Sequence, residues 1–358
     1  MSGRKSSTGK GAKMNILQWF GHPGYVDQLI AGLATWAIVL VLAVCIVILT
    51  KGADLMVAGA VSLARLTSLS EIIIGATILS LGTTLPEVFV SVLSAWTGNP
   101  GLALGNGVGS IICNTGLILG FTCIVARVPV DRFFLDRTGV VLLIAGTLIV
   151  LFSLQAYMDS PNTPVLHRWV GLVFLVLLML YLYFSYRWSR NQAALEPVAQ
   201  DHSPQTIPTA LILTATGLVG VVIGSRMLIP CAAEAAVRMG VSQDVVATTM
   251  VAFGTSLPEL ATAVVAIRKG HPQIMVGNVV GADILSCLFV IGAAATASPL
   301  QVTPNFFRFH FPAMLLILFS FRLFVSLNRD GWFKRAQGIW IFGVYLAYLA
   351  LQYEFTFK

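Results

Sequence analysis

The hexapeptide GTTLPE at residues 82–87 returns as GTSLPE at 254–259, and the same shift of 172, without a gap, lays GNGVGSIICN (105–114) on GNVVGADILS (277–286). Two separate matches at one offset mark an internal duplication. The shift also lays Gly52 on Gly224, Thr77 on Thr249 and Ser70 on Ser242. Any fold for this chain must therefore be built twice from one plan, and each copy carries a proline and then a glutamate inside an apolar run.

With 57% hydrophobic and 10% charged residues, the chain departs far from soluble domains, of which about a quarter is charged. It reads as a polytopic membrane protein. A bilayer-spanning helix takes about 20 apolar residues, and apolar runs bounded by charge, proline, glycine or asparagine place ten of them near 31–66, 71–97, 101–126, 138–157, 166–187, 207–239, 243–267, 273–297, 308–327 and 332–353. The polar stretch RWSRNQAALEPVAQDHSPQT (187–206) parts five from five. The expected fold class is all-α, with an N-terminal tail (1–30), a first five-helix repeat (31–187), a central linker (188–206) and a second five-helix repeat (207–358). The tail has no cleavable-signal arrangement, and Met14 offers itself as an alternative start that would leave 1–13 as an extension.

An odd number of spans per repeat makes the second copy enter the membrane from the opposite face. Inverted repeats with interrupted apolar segments at matching positions are the sequence signature of secondary transporters, whose sites lie near mid-membrane. The net charge of +7 comes from Lys and Arg scattered through short connections; it forms no basic face for nucleic acid and bears on orientation. Loops 1/2, 3/4, 5/6, 7/8 and 9/10 hold about twelve of these residues against about eight on the other side, which places both termini outside the cytoplasm of a plasma (inner) membrane. Cys45, Cys113, Cys123, Cys231 and Cys287 all fall in apolar runs without CxxC spacing and read as small buried residues. No nucleotide motif, cofactor or obligatory protein partner is indicated.

Proline at 86 and 258 has no N–H to give, so the carbonyl of Gly82 or Gly254 loses its helical donor and the helix should kink. A carbonyl freed inside a bilayer must face protein, water or a cation. Glu87 and Glu259 set a carboxylate beside each such point, and Thr84 and Ser256 add hydroxyls one turn earlier. In the next segment, Gly105, Gly107 and Gly109, with Gly277 and Gly281 in the second copy, permit close approach and local unwinding. Asn106, Ser110 and Asn114, and then Asn278, Asp283 and Ser286, follow with side-chain oxygens. The set is all oxygen and hard, suited to Ca²⁺ or Na⁺ and not to zinc or copper.

These paired motifs resemble the two α-repeats of the cation/calcium exchanger superfamily, and the resemblance covers nearly the whole chain. It implies exchange of Ca²⁺ against Na⁺, or K⁺ or H⁺ in some branches, at one site shared by the repeats. By that resemblance Glu87 and Glu259 match the two acidic ligands, Thr83 and Thr255 backbone-carbonyl positions, Thr84 and Ser256 hydroxyl ligands of Na⁺ sites, and Ser110 and Asn114 polar site residues. The second repeat departs from the pattern. Ala282 stands where a serine is usual, Ser286 where an Asp or Asn is usual, and Asp283 where an Asn is common. Asp283 lies about 300° around a helix from position 286, on a neighbouring face.

Two buried carboxylates make an empty site costly to occlude. One Ca²⁺, or several monovalent ions, relieves that cost, so mutually exclusive occupancy gives antiport. The long first and sixth helices are the moving gate that the resemblance implies. The competing readings are a monovalent cation/proton antiporter on the same fold and a non-transporting or channel-like relative. Elsewhere in the spans, Asp54 is expected to pair with Lys51 on its own helix, or across the repeats with Arg226 near Glu234.

Overall fold

The computed structural model describes residues 29–67, 69–195, 206–239 and 254–356. Ten helices of twelve residues or more follow one another among them: α1 Thr35–Thr67, α2 Glu71–Trp96, α3 Pro100–Val125, α4 Arg132–Asp159, α5 Arg168–Leu195, α6 Ile207–Arg238, α7 Leu257–Arg268, α8 Pro272–Ala297, α9 Phe306–Leu327 and α10 Arg335–Thr356. Each falls on one of the ten expected runs. Most of the tail with Met14, residues 196–205 of the linker, the first part of the 243–267 run, and Ser242 and Thr249 lie outside the described residues. Eight helices, α1 to α6 with α8 and α9, are long and apolar enough to cross a bilayer. For α7 twelve residues are described, and α10 is more polar, with Gln337, Tyr345, Tyr348 and Gln352.

Local chemistry sets the ends in matching pairs. Gly98 and Gly270, 172 apart, take φ of 91° and 80°, a conformation that favours glycine. Two residues later Pro100 and Pro272 open α3 and α8 in the first turn, where a missing N–H costs nothing.

The two halves interlock through glycine crossings that obey the same symmetry. A Cβ on Gly52 would stand 2.6 Å from the Val221 nitrogen, and one on Gly224 would stand 2.8 Å from that of Leu49. Both pairs of numbers differ by 172, so α1 and α6 cross at points the duplication equates. Likewise α3 packs on α10 through Gly120 and Gly338, and α8 on α5 through Gly292 and Gly171. Two short antiparallel contacts repeat the pattern outside the helices: Pro129 bridges Trp332, and Gln301 pairs with Val165. Here 129 and 301 differ by 172, whereas 165 and 332, like 171 and 338, differ by 167. The second half is thus five residues shorter between Gln301 and its last helix.

Burial sorts the helices. The core runs through α8, α3 and α2, with α8 nearly enclosed. The long pair α1 and α6 flanks it, giving Ala53, Met56, Val57 and Val221 to the core while Val39, Leu40, Val47, Ile212 and Val219 are exposed, as befits surfaces that face lipid tails.

Candidate cation site

The two Pro–Glu segments adopt different backbones. Helix α2 runs unbroken through Pro86, with one wide π-helical stretch, Gly75–Leu79, just upstream. In the second half Thr255 and Ser256 form a turn, Ser256 caps α7 with φ −91° and ψ 7°, and Pro258 falls in its first turn. The interruption expected at this proline takes the form of a turn between the helical Gly254 and α7, with Pro258 in the first turn of α7.

Local unwinding at the glycine-rich segments is corrected. Both α3 and α8 stay helical through their glycines and widen one turn later into π stretches, Ile112–Leu119 and Ser286–Val290. Such bulges are frequent at functional sites, and here they hold the matched pair Asn114 and Ser286. Close approach is realised at Gly281, where a Cβ would lie 2.6 Å from the Ala76 carbonyl of α2; around Gly109, its repeat mate, no described atom lies within 4 Å.

These backbones bring the expected side chains to the centre. Thr83, Thr84, Glu87, Ser110, Asn114, Ser256, Glu259, Asp283 and Ser286 are all buried; Thr255 is half-buried in the turn before α7. The Glu87 carboxylate accepts from Ser110 Oγ at 2.8 Å and from Ser286 Oγ at 3.3 Å, one serine from each half. Asn106 steadies the same turn, donating to the Glu87 carbonyl at 3.4 Å and to Ser91 Oγ at 2.9 Å. Thr83 donates to the Ser80 carbonyl at 3.3 Å and lies 3.5 Å from Asn278 Oδ1.

Glu259 differs: neither carboxylate oxygen makes a hydrogen bond of ordinary geometry with the described residues, the Thr83 hydroxyl being the donor beside it. Its repeat geometry says why. The shift of 172 maps the Glu87 donor Ser110 onto Ala282, which has no hydroxyl. Thr84 Oγ1, Ser256 Oγ, Asn114 Oδ1 and Asp283 Oδ1 are likewise buried without partners. Each such atom costs about 1–3 kcal/mol against a satisfied one. Glu87, Glu259 and Asp283 also lie close enough for their charges to interact. A cluster of partnerless, negatively charged oxygens has the chemistry of a hard-cation site. Among the described residues no three His, Cys, Asp and Glu side chains gather as a compact metal centre, and the five cysteines are buried and free.

Two contacts had no counterpart in the sequence reading. Thr115 of α3 donates its hydroxyl to Asp283 Oδ2; a threonine in an apolar helix ordinarily bonds the carbonyl four residues back, as Thr122 does, so nothing set Thr115 apart. The expected partners of Asp54 are corrected as well. Its carboxylate meets Lys269 at 3.2 Å, while Glu234 pairs with Arg238 at 2.8 Å on its own helix.

Comparison with known proteins follows the same outline. The family profile described as sodium/calcium exchanger protein matches residues 37–187 and 209–354. An uncharacterized membrane protein of Methanocaldococcus jannaschii is 31% identical over 85% of this chain and 94% of its own. The inner membrane protein YrbG of Escherichia coli is 30% identical over 87% and 95%, and the sodium/calcium exchanger MaX1 of Methanosarcina acetivorans 26% over 87% and 97%. Among solved structures, the sodium-calcium exchanger NCX_Mj soaked with Na⁺ and Sr²⁺ superposes with a TM-score of 0.74 at 26% identity, covering 88% of this chain and 99% of that one.

Proposed function

The chain belongs to the sodium/calcium exchanger family, and from that premise we propose that it is a secondary active antiporter exchanging Ca²⁺ for Na⁺ by alternating access at a central site built on Glu87 and Glu259. One observation carries the reading: two fully buried glutamates stand at equivalent points of the two halves, and neither oxygen of the second makes a hydrogen bond of ordinary geometry with the described residues. A carboxylate left so in a low-dielectric interior demands a cation.

The two carboxylates supply about two negative charges, which one Ca²⁺ neutralises. Ca²⁺ takes roughly six to eight oxygens, and the backbone carbonyls of Thr83 and Thr255 with the hydroxyls of Thr84 and Ser256 extend the set. Ser110 and Ser286 hold Glu87 in one orientation, so the first carboxylate is pre-set while the second is free to close on the ion. Na⁺ ions satisfy the same charges in place of Ca²⁺, and the two loads exclude each other. With either bound the neutralised site passes through occlusion; empty, it resists. The movable element is the α1–α6 pair, whose glycine crossing presents smooth backbone along which two long helices slide as a unit. Both termini face away from the cytoplasm of the plasma membrane in this reading.

The test is ⁴⁵Ca²⁺ uptake into vesicles under separately imposed Na⁺, K⁺ and H⁺ gradients. Uptake should follow the Na⁺ gradient and vanish in Glu259→Gln. Unchanged uptake in that variant would sink the two-glutamate site, and uptake that follows the pH gradient would transfer the coupling to protons.

A further inference from the structure

The two antiparallel ribbons that the duplication equates differ in charge, and the exchange reading has no use for the difference. Pro129 and Trp332 meet in a bridge, flanked by the Val130 N–H to the Gly331 carbonyl at 2.7 Å and the Phe333 N–H to the Val128 carbonyl at 2.9 Å. That register sets Arg127 across from Lys334 and Arg132 across from Arg329. All four are exposed, and like charges directly opposite on paired strands are destabilising. The equivalent ribbon, where Val165 pairs with Gln301, carries Pro299, His167, Pro304 and Asn162 at the matching positions. The fold therefore builds such a ribbon without the charges. Nearby carboxylates do not answer them. Asp131 caps α4 by accepting from the Phe134 N–H at 3.0 Å, and Asp136 is taken by Arg322 at 3.0 Å. Asp330 sets one negative charge against four positive ones. Among the described residues no side chain pairs with Arg127, Arg329 or Lys334. Arg132 is held in place, donating to the Ser326 carbonyl at 3.0 Å and the Asn328 carbonyl at 3.4 Å where α9 ends.

We infer that the 127–132 and 329–334 ribbon is a binding site for the headgroup of an anionic phospholipid. Its depth fits. The ribbon joins the ends of α3 and α9 to the starts of α4 and α10, and three of these four helices are long and apolar enough to cross a bilayer, so it lies at the level of the headgroups. Trp332, 45% exposed at the bridge, is of a residue type that settles at that level. Its charge fits too. Arginine forks take phosphate oxygens in pairs, and a phosphodiester set between Arg127 and Lys334, or between Arg132 and Arg329, turns a repulsion into two attractions. A zwitterionic headgroup brings its own ammonium into this surplus of positive charge, whereas an anionic one does not. Soluble phosphate lacks the acyl chains that hold the anion at this depth. The site is independent of what the core of the protein carries, so a failure of the exchange reading leaves it standing.

The test reads lipid binding apart from transport. The purified chain in detergent is titrated with phosphatidylglycerol, phosphatidylcholine or inorganic phosphate, and both the melting temperature and the lipid retained in native mass spectrometry are followed. Phosphatidylglycerol should raise the melting temperature, as any ligand of the folded state does, at a midpoint about tenfold below that of phosphatidylcholine. Inorganic phosphate should not raise it. The double variant Arg127→Gln with Lys334→Gln should move the phosphatidylglycerol midpoint upward about thirtyfold and Arg329→Gln alone about fivefold, with the phosphatidylcholine midpoint unmoved. In lipid-free detergent the double variant should melt no lower than the parent, since it relieves a pair of like charges. Arg168→Gln with Arg308→Gln, at the other end of the molecule, should keep the phosphatidylglycerol midpoint within about twofold. Equal midpoints for the two lipids, or a phosphatidylglycerol midpoint unmoved in both ribbon variants, overturn the site; Arg329→Gln decides alone if the double variant does not fold. Stabilisation by inorganic phosphate at the same concentration overturns the lipid as its occupant, and an equal shift in the Arg168 and Arg308 control overturns the ribbon as its place.

Discussion

The two halves of this molecule share a plan and differ in how they treat the same glutamate. In the first half Glu87 lies on an unbroken helix and is held by two serines. In the second, Glu259 sits in the first turn of α7, and no serine of the described residues holds it as Ser110 and Ser286 hold Glu87. One cause is the exchange of a serine for an alanine, since the Glu87 donor Ser110 is matched by Ala282. A duplicated fold therefore need not give a symmetric site: backbone crossings keep the symmetry, and polar side chains are free to break it. One carboxylate becomes a fixed wall and the other an adaptable one.

The largest test of this comparison neutralises each carboxylate in turn. Glu87→Gln and Glu259→Gln should each cut exchange by more than about a hundredfold, as removing one partner of a buried charged cluster costs about 3–5 kcal/mol. Their effects on ion-free stability should diverge. Glu259→Gln removes a buried charge that lacks the paired serine donors of Glu87 and should raise the melting temperature in Na⁺- and Ca²⁺-free buffer. Glu87→Gln gives up two charge-assisted bonds as well and should gain less or nothing. Equal shifts would show that the serines do not matter to Glu87.

Next come the glycines, which separate symmetry of sequence from symmetry of packing. Gly281→Ala drives a methyl into the Ala76 backbone, which cannot yield as a side-chain tip would, and should destabilise by about 1–3 kcal/mol. Gly109→Ala, its repeat mate, meets no described atom within 4 Å and should stay within about 0.5 kcal/mol. Thermal melts of the two variants check the contrast; a matching loss in both would mean that α3 is as tightly packed as α8.

This contrast also marks what the sequence could disclose. The repeat offset, ten apolar runs and paired Pro–Glu motifs were legible because helices in a bilayer must be long, apolar and interrupted only for cause. Nine of the ten site candidates are buried together for the same reason. Which glycine faces a backbone was not legible, since Gly109 and Gly281 occupy equivalent strings and only the tertiary crossing distinguishes them. The π stretches at Asn114 and Ser286 were hidden too: an extra residue in one turn alters hydrogen-bond register without altering composition. Thr115 and Lys269 were missed because their partners, Asp283 and Asp54, lie 168 and 215 residues away, a separation that carries no periodic signal. The change of offset from 172 to 167 escaped notice because it falls in the apolar stretches least able to show a register.

Smaller effects come from exchanging the serine and alanine that make the halves differ. Ser110→Ala strips Glu87 of its shorter bond and should raise the Ca²⁺ midpoint roughly tenfold, the worth of a hydrogen bond to a charge. Ser286→Ala, which removes the longer one, should cost less. Ala282→Ser offers Glu259 the serine donor it lacks and should lower the midpoint a few-fold, offset by the strain of adding an atom to a fully packed position. Midpoints of ⁴⁵Ca²⁺ exchange order the three variants; an Ala282→Ser variant that weakens exchange as much as Ser110→Ala would mean that Glu259 has to remain unheld.

The smallest effect tests the periphery, where the halves differ by an ion pair. Lys269 pairs with the Asp54 carboxylate at 3.2 Å and donates to the Asp54 carbonyl at 2.9 Å, tying the α7–α8 turn to the middle of α1. The shift of 172 places Arg226 and Thr97 at the mate positions, and Thr97 spends its hydroxyl on the Leu93 carbonyl at 2.8 Å. This tie is thus made on one side only. Both charged groups are about one-third exposed, so Lys269→Met should cost under about 1 kcal/mol of stability, and less as salt is raised. If α1 moves during exchange, the rate of Ca²⁺ efflux should nonetheless respond, because a bond made in one conformation alone shifts the balance between the two by its full strength. A rate change larger than the melting shift would mark the pair as a state-specific tie on the gate, and equal small changes would leave it an ordinary surface contact.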